Sequence, residues 1–317
     1  MHQITPPATS STPGAFRFFS RLERNIVRKI GEAVADFGLI EAGDHILIAV
    51  SGGKDSLAMA ETLHLLRRRS PIHFDLTVVT IDQSNAGLSS QALETHFRHC
   101  GYTYQIIPAP IDEAVREKGK PKIIPCALCS RLRRGVLYTL APKLGCNKIA
   151  LGHHLDDLLE TLLMNLFFSG KLRSMAPRFQ SDDGRNIIIR PLCFIPEAWL
   201  MEYSHSRGFP ITRCSNSGCG TEDSQRQRIK RLIQQLSIDH PKLRWHMLKA
   251  MQNIQTTHLL DRNHLGMIEG LRPHSQSSLP SKVTPVAHCG RAPRSAQPDS
   301  GLDRSLLECL AKIGKEG

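Results

Sequence analysis

No run of about 18 apolar residues occurs in the 317-residue chain, so no segment reads as a membrane-spanning helix. Aromatic residues are scarce at 5%, and no stacking platform for single-stranded nucleic acid is evident. Acidic residues are outnumbered, 29 against 41 Lys and Arg, giving a formal net charge of +12. Residues 271–317 hold 7 basic and 4 acidic side chains and account for +3 of this, so the part expected to fold is itself basic. Such an excess suits a polyanionic partner, with plain solubility charge as the bland alternative. Internal repeats are absent, and so is the G-x-x-x-x-G-K-[ST] phosphate loop. The nine cysteines are odd in number and lack the spacing of a small secreted disulfide scaffold. A reducing, cytoplasmic setting with metal-bound or catalytic thiols fits them better. With 40% hydrophobic residues, the chain can build a full core, read as one α/β domain with appendages.

Against these absences, residues 45–56 stand out as HILIAVSGGKDS. An apolar strand runs into a glycine turn, and a helix-like segment follows. Gly52 and Gly53 allow close backbone approach to a ligand. The N–H groups and dipole of the next helix favour an anion there. Lys54 adds a point charge, while Ser51 and Ser56 add hydroxyls. An ordinary strand-to-helix turn is the alternative, made unlikely by two glycines set among Lys, Asp and two Ser. The string SGGKDS resembles the pyrophosphate loop (PP-loop) of ATP pyrophosphatases, which cleave ATP between its α and β phosphates. That resemblance implies ATP binding by Ser51, Gly52, Gly53, Lys54, Asp55 and Ser56, with Lys54 and Asp55 as catalytic candidates. Lys54 is expected to face solvent without ATP.

The rest of the chain falls into segments. Residues 1–15 read as a disordered Pro/Ser/Thr-rich tail. Residues 1–22 lack acids and carry Arg17 and Arg21, as transit peptides do, but Pro6, Pro7 and Pro13 favour the tail. Residues 16–38 have helical spacing and end at Gly38. From 39 to 224, strand and helix patterns alternate. Strands are expected at 46–50, 74–81, 102–107, 148–151 and 187–190, and helices at 56–69, 90–100, 130–144, 156–168 and 196–206. This alternation predicts a parallel sheet with helices on both faces, its ligand at the carboxyl ends of the strands. Residues 225–272 form a basic segment, helical over 225–262, with a basic face around Arg226, Arg228, Lys230 and Arg231. Residues 273–317 read as a flexible tail.

Two further constellations carry chemistry. The string IALGHHLDD (149–157) repeats the layout of strand, glycine turn and helix start. Acids at a helix N-terminus stabilise it whatever else they do. Alternatively, His153, His154, Asp156 or Asp157 faces the nucleotide and its Mg²⁺. Cys126 and Cys129 form a C-x-x-C followed by Arg131, Arg133 and Arg134, a basic patch suited to RNA phosphates. Nearby positive charge and a following helix start would lower the thiol pKa values. Cys214 and Cys219 come later. Spacing alone leaves a four-Cys structural zinc site, a redox disulfide and an iron–sulfur cluster all open. Cys100, Cys146, Cys193, Cys289 and Cys309 read as buried or incidental.

Taken in order, SGGKDS, PCALCSRLRRG, ALGHHLDD, DDGRNIIIRPL and CGTEDSQRQ resemble the bacterial tRNA 2-thiocytidine biosynthesis family over residues 17–262. These are sulfurtransferases acting on cytidine 32 of the anticodon loop. The resemblance implies a PP-loop fold (adenine-nucleotide hydrolase-like), ATP with Mg²⁺, and tRNA as substrate. It further implies a cysteine desulfurase as sulfur donor, a homodimer and a cytoplasmic location. A [4Fe-4S] cluster held by three cysteines is also implied, with Cys126 and Cys129 as two ligands. The third falls on Cys219, although this chain departs from the family's later C-x-x-C by spacing Cys214 and Cys219 more widely. The rival readings are a zinc-containing thiouridylase with a persulfide, a PP-loop tRNA amidating ligase, and a basic RNA-binding module without catalysis.

Overall fold

The computed structural model describes residues 20–82, 88–109, 111, 125–181, 183–212 and 224–259. The expected tails at 1–15 and 273–317, and Cys214 and Cys219, lie outside these residues.

Six strands among the described residues form one sheet: β1 (His45–Val50), β2 (Asp75–Asp82), β3 (Tyr104–Pro108), β4 (Lys148–Ala150), β5 (Arg178–Gln180) and β6 (Ile187–Ile189), in the order β3-β2-β1-β4-β6-β5. In β1 the side chains of Ile46, Leu47, Ile48 and Val50 are buried. The strand is central, with parallel partners on both edges: Ile48 sits opposite Val78 of β2 and Ala150 of β4. That position explains its nearly unbroken apolar sequence. β3 joins β2 and β6 joins β4, both in parallel.

The described residues include eight α-helices: α1 (Arg21–Phe37), α2 (Lys54–Arg67), α3 (Leu88–Cys100), α4 (Pro125–Lys143), α5 (Leu155–Ser169), α6 (Glu197–Arg207), α7 (Gln225–Asp239) and α8 (Leu243–Gln252). The chain steps β1-β2-β3 one way and then crosses back to β4. Right-handed crossovers therefore place α2 and α3 on one face and α4 on the other. The expected mostly parallel α/β architecture is present. β1 and β4 flank the point where strand order reverses, and open α/β sheets bind ligands at such a point. Helix α2 is buried from Ser56 to Leu63 and packs against α1 and α6. Among the described residues no helix is long and apolar enough to cross a membrane.

Three departures from expectation have local causes. β5 is an unexpected antiparallel edge strand, with Phe179 opposite Ile188. It has only three residues, two of them exposed, too few for an alternating pattern to register. α4 starts at Pro125, not Ser130, since proline suits the first helical turn, where its missing N–H is not needed. The C-x-x-C therefore lies inside the helix start instead of ahead of it. The stretch expected as one helix over 225–262 breaks after Asp239. Pro241 disfavours helical geometry at His240, which adopts φ −125° and ψ 79°. The compact unit that contains the sheet runs to Trp245.

Candidate active site

β1 delivers the chain into Ser51-Gly52-Gly53 at the carboxyl edge of the sheet. Gly52 has φ +83°, a conformation that side chains disfavour, and a Cβ there would lie 1.8 Å from Thr212 Oγ1. Thr212 N donates to Gly52 O at 2.9 Å. Gly53 is the N-cap of α2 and offers no side chain to the first turn, so N–H groups there remain available to an anion. The two serines brace the loop: Ser51 N donates to Ser56 Oγ at 3.2 Å, and Ser56 Oγ donates to Gly53 O at 2.9 Å.

The second glycine turn abuts the first. A Cβ on Gly152 would come within 3.2 Å of both Ser56 N and Ser56 Cα. The two turns open into a cleft of about 480 Å³, a size suited to a nucleotide-scale ligand. Ser51, Gly53, Asp55 and Ser56 contribute one wall, and Gly152 and His153 the next. Arg133, Arg134 and Tyr138 of α4 close the opposite side with Arg190. Asp55 Oδ1 is buried without a hydrogen-bond partner, an acceptor left for a cation or a ligand proton.

The four candidates of the second turn separate. His153 lines the cleft. Burial, aided by the Arg190 charge, pushes its imidazole down to about 4. It is thus neutral at pH 7 and accepts from Arg190 Nε through Nδ1 at 3.3 Å, which leaves its proton on Nε2. Arg190 in turn stacks over Phe179 at 4.9 Å and donates to Ala176 O. His154 and Asp157 form a reciprocal cap on α5: each accepts from the other's backbone N–H, at 3.4 and 3.1 Å. Asp156 accepts from Glu197 N at 2.7 Å and from Arg244 Nε at 2.6 Å.

Lys54 does not face solvent freely, as its sequence context suggested. Its ammonium lies 3.0 Å from Asp55 Oδ2 and 3.1 Å from Glu197 Oε1, and Glu197 Oε2 accepts from Lys230 Nζ at 2.6 Å. Burial alone would lower the Lys54 pKa, yet the two carboxylates hold it above the usual lysine value. Burial also works against the Glu197 carboxylate, but Lys230 and Lys54 hold it down at about 2. Arg226 of α7 pairs with Asp157 at 2.9 Å and Glu160 at 3.5 Å. Two members of the expected basic face of α7 therefore bind acids of the site. Glu197 was not singled out from the sequence, Arg190 stood only within the DDGRNIIIRPL string, and Lys230 only as part of a basic face. Glu197 sits in the first turn of α6, and only the fold brings it to Lys54.

Cys129 is buried against Ala109 and Ile111, with Ile81 packed alongside, and Ile81 also lines the cleft. A thiol one side chain away from the cleft, shielded from water, suits a soft iron–sulfur centre. Cys126 stands three residues earlier on α4, on the same helical face; its side chain, like Cys219, lies outside the described residues. Among the described residues no group of three His, Cys, Asp or Glu could hold a metal. Burial pushes the thiols of Cys146 and Cys193 up to about 12, which fits structural roles. Arg131 and Arg134 are exposed and Arg133 is half-buried.

The phosphate cradle at a sheet switch point defines a PP-loop protein, and a family model described as a PP-loop domain matches residues 22–236. Relatives narrow this. The tRNA-cytidine(32) 2-sulfurtransferase of Geobacter sulfurreducens is 45% identical over 238 residues, which is 75% of this chain and 93% of that protein. That of Aeromonas hydrophila subsp. hydrophila is 44% identical over 244 residues, 77% and 80% of the two chains. The chain belongs to the tRNA-cytidine(32) 2-sulfurtransferase family of PP-loop sulfurtransferases. The U34-tRNA thiolase NcsA from Methanococcus maripaludis, solved with its [4Fe-4S] cluster, shares the fold at a TM-score of 0.62 and 19% identity, covering 80% of this chain and 88% of that one.

Proposed function

We propose that this chain thiolates tRNA, converting cytidine 32 of the anticodon loop to 2-thiocytidine at the expense of ATP. The observation that carries the reading is the shared cleft: the SGGKDS cradle, the Gly152–His153 turn and the start of α4 beside Cys129 all meet there. The match to relatives of that name across most of the chain supports it. On this reading the PP-loop unit spans 39–224 and the basic helical segment 225–272.

The C2 carbonyl of cytosine is a poor electrophile whose oxygen leaves badly. That oxygen attacks the α-phosphorus of ATP, the bond to the β-phosphate oxygen breaks, and pyrophosphate departs. A sulfide-level sulfur then adds at C2, the C2–O bond breaks, and AMP carries the oxygen away. The loop N–H groups and Lys54 hold the phosphates and stabilise the charge that develops on pyrophosphate. Asp55, whose Oδ1 is buried without a hydrogen-bond partner, would hold the Mg²⁺ that accompanies ATP. Neutral His153 presents its Nε2 proton to a phosphate or base oxygen. A [4Fe-4S] cluster bound by Cys126, Cys129 and Cys219 would supply an open iron able to hold sulfide. Arg131, Arg133 and Arg134 flank the entry for RNA phosphates. Position 32 lies in a loop, so bringing its base into the cleft costs less than extruding one from a duplex.

The test is a single-turnover assay with anaerobically purified protein, tRNA, ATP and sulfide, reading 2-thiocytidine by mass spectrometry and AMP by chromatography. Wild-type protein should form both in equal amounts. Lys54→Ala should form neither while keeping its fold and its iron content, with a lower melting temperature from the lost ion pairs. Normal thiocytidine formation by Lys54→Ala would remove the phosphate role, and AMP formation without dependence on tRNA would remove the adenylation step.

A further inference from the structure

We propose that the exposed C-terminal end of α5 and the residues just after it form a stacking platform for the unpaired bases of the tRNA anticodon loop, with Phe167 and Phe168 as the stacking rings. The proposal rests on the tRNA reading above and adds the surface that receives the loop. At the end of α5 the chain reads LFFSGKLR from Leu166 to Arg173, and all eight residues are exposed. Four of them are large and apolar: Leu166 at 45%, Phe167 at 53%, Phe168 at 52% and Leu172 at 59%. A soluble chain rarely leaves such a cluster uncovered without a use for it. In a protein with 5% aromatic residues, two adjacent half-exposed phenylalanines are a local concentration that composition conceals.

The segment has a defined shape. Gly170 ends α5 in the left-handed conformation. Lys171 N donates to Asn165 O at 3.0 Å, Asn165 Nδ2 donates to Arg173 O at 2.9 Å, and Ser174 Oγ donates to Leu158 O at 2.6 Å. The two rings meet edge to face, with centroids 6.4 Å apart. The backbone that carries the rings is thus held in place before any partner arrives, which lowers the ordering cost of stacking.

Charge and continuity select RNA as the occupant. Lys171 and Arg173 lie among the apolar side chains, and no acidic residue occurs from Leu166 to Pro177. In a two-fold dimer built on this patch, those cations would face their own copies with no carboxylate of the segment to answer them. Phosphates answer them directly. Two residues beyond Arg173, Met175 lines the cleft, and Phe179 follows on the same wall. The segment that carries the rings thus runs on along the chain into the lining of the cleft that would receive the base.

The test uses the full chain with its cluster, purified anaerobically, and two RNAs: an anticodon stem-loop with cytidine at position 32, and the same stem as a blunt duplex. Replacing both rings by Ala should weaken stem-loop binding about tenfold or more, leave duplex and ATP binding unchanged, and leave the salt slope unchanged. Phe167→Tyr with Phe168→Tyr should restore binding, whereas Phe167→Leu with Phe168→Leu should not. Replacing Lys171 and Arg173 by Ala should instead flatten the salt slope by about one unit per lost contact. Equal stem-loop affinity in wild type and the Ala variant overturns the platform. Loss of dimer in sedimentation, with RNA affinity kept, hands the patch to a second copy. A wild-type protein that binds neither tRNA nor the stem-loop overturns the functional reading itself, a result distinct from failure of the platform.

Discussion

Replacing Gly52 by Ala perturbs the phosphate cradle in two separable ways. At φ +83° the new side chain sits in left-handed backbone, which costs about 1–2 kcal/mol. The new Cβ also arrives 1.8 Å from Thr212 Oγ1 and 3.2 Å from Thr212 Cβ. Thr212 must then rotate and shift, an overpacking cost of about 1–3 kcal/mol. The single variant should therefore lose about 2–5 kcal/mol of stability. Thr212→Ala removes the hydroxyl and keeps the backbone donor to Gly52 O, so the double variant should recover the clash and retain the strain. A double-mutant cycle by urea denaturation should show a favourable coupling of about 1–2 kcal/mol. Calorimetric ATP binding should follow the same order, because the shifted loop carries the phosphate donors. Additivity within about 0.5 kcal/mol would refute the contact as the cause. Full recovery in the double variant would refute the backbone strain.

Glu197→Gln should tighten ATP binding by about three- to tenfold, because Lys54 then leaves one carboxylate fewer to reach phosphate; titration showing unchanged or weaker binding would exclude that competition. His64, stacked on Tyr102 at 3.8 Å between centroids, is held at about 4 by burial. The unfolded chain takes up this proton near 6.5 and the folded chain only near 4, so stability is lost as pH falls through that window. Relative to a His64→Gln variant, the protein should lose about 2 kcal/mol between pH 7.5 and pH 5, read by urea unfolding at each pH. Cys219→Ser should lose iron, acid-labile sulfide and thiolation together after anaerobic reconstitution, whereas Cys214→Ser should keep most of each; the reverse pattern would move the third ligand to Cys214.

The cradle was legible because everything it needs is contiguous. HILIAV must be buried on both faces, and SGGKDS has few uses other than an anion at a helix start. Gly152 and His153 were legible as a second turn in the same sheet, although sequence could not separate His153, which reaches the cleft, from His154, Asp156 and Asp157, which cap helices or hold ion pairs. Lys54 was misjudged because its partner Glu197 comes from a distant helix. The same holds for Lys230 and Arg226, whose acids arrive only through packing of α7 on the site. β5 was too short to show a period. The helix break at Pro241 was visible in the chain, but the helical periodicity on either side masked it.

A Cβ at position 152 would press on the backbone of Ser56 at 3.2 Å, so the junction between the two turns would have to give by a few tenths of an ångström. The two glycine turns are thus mechanically coupled, whereas Arg133, Arg134, Tyr138 and Phe179 meet the cleft with side chains that can move independently. A change at 152 is instead passed directly to the backbone at the junction between β1 and α2.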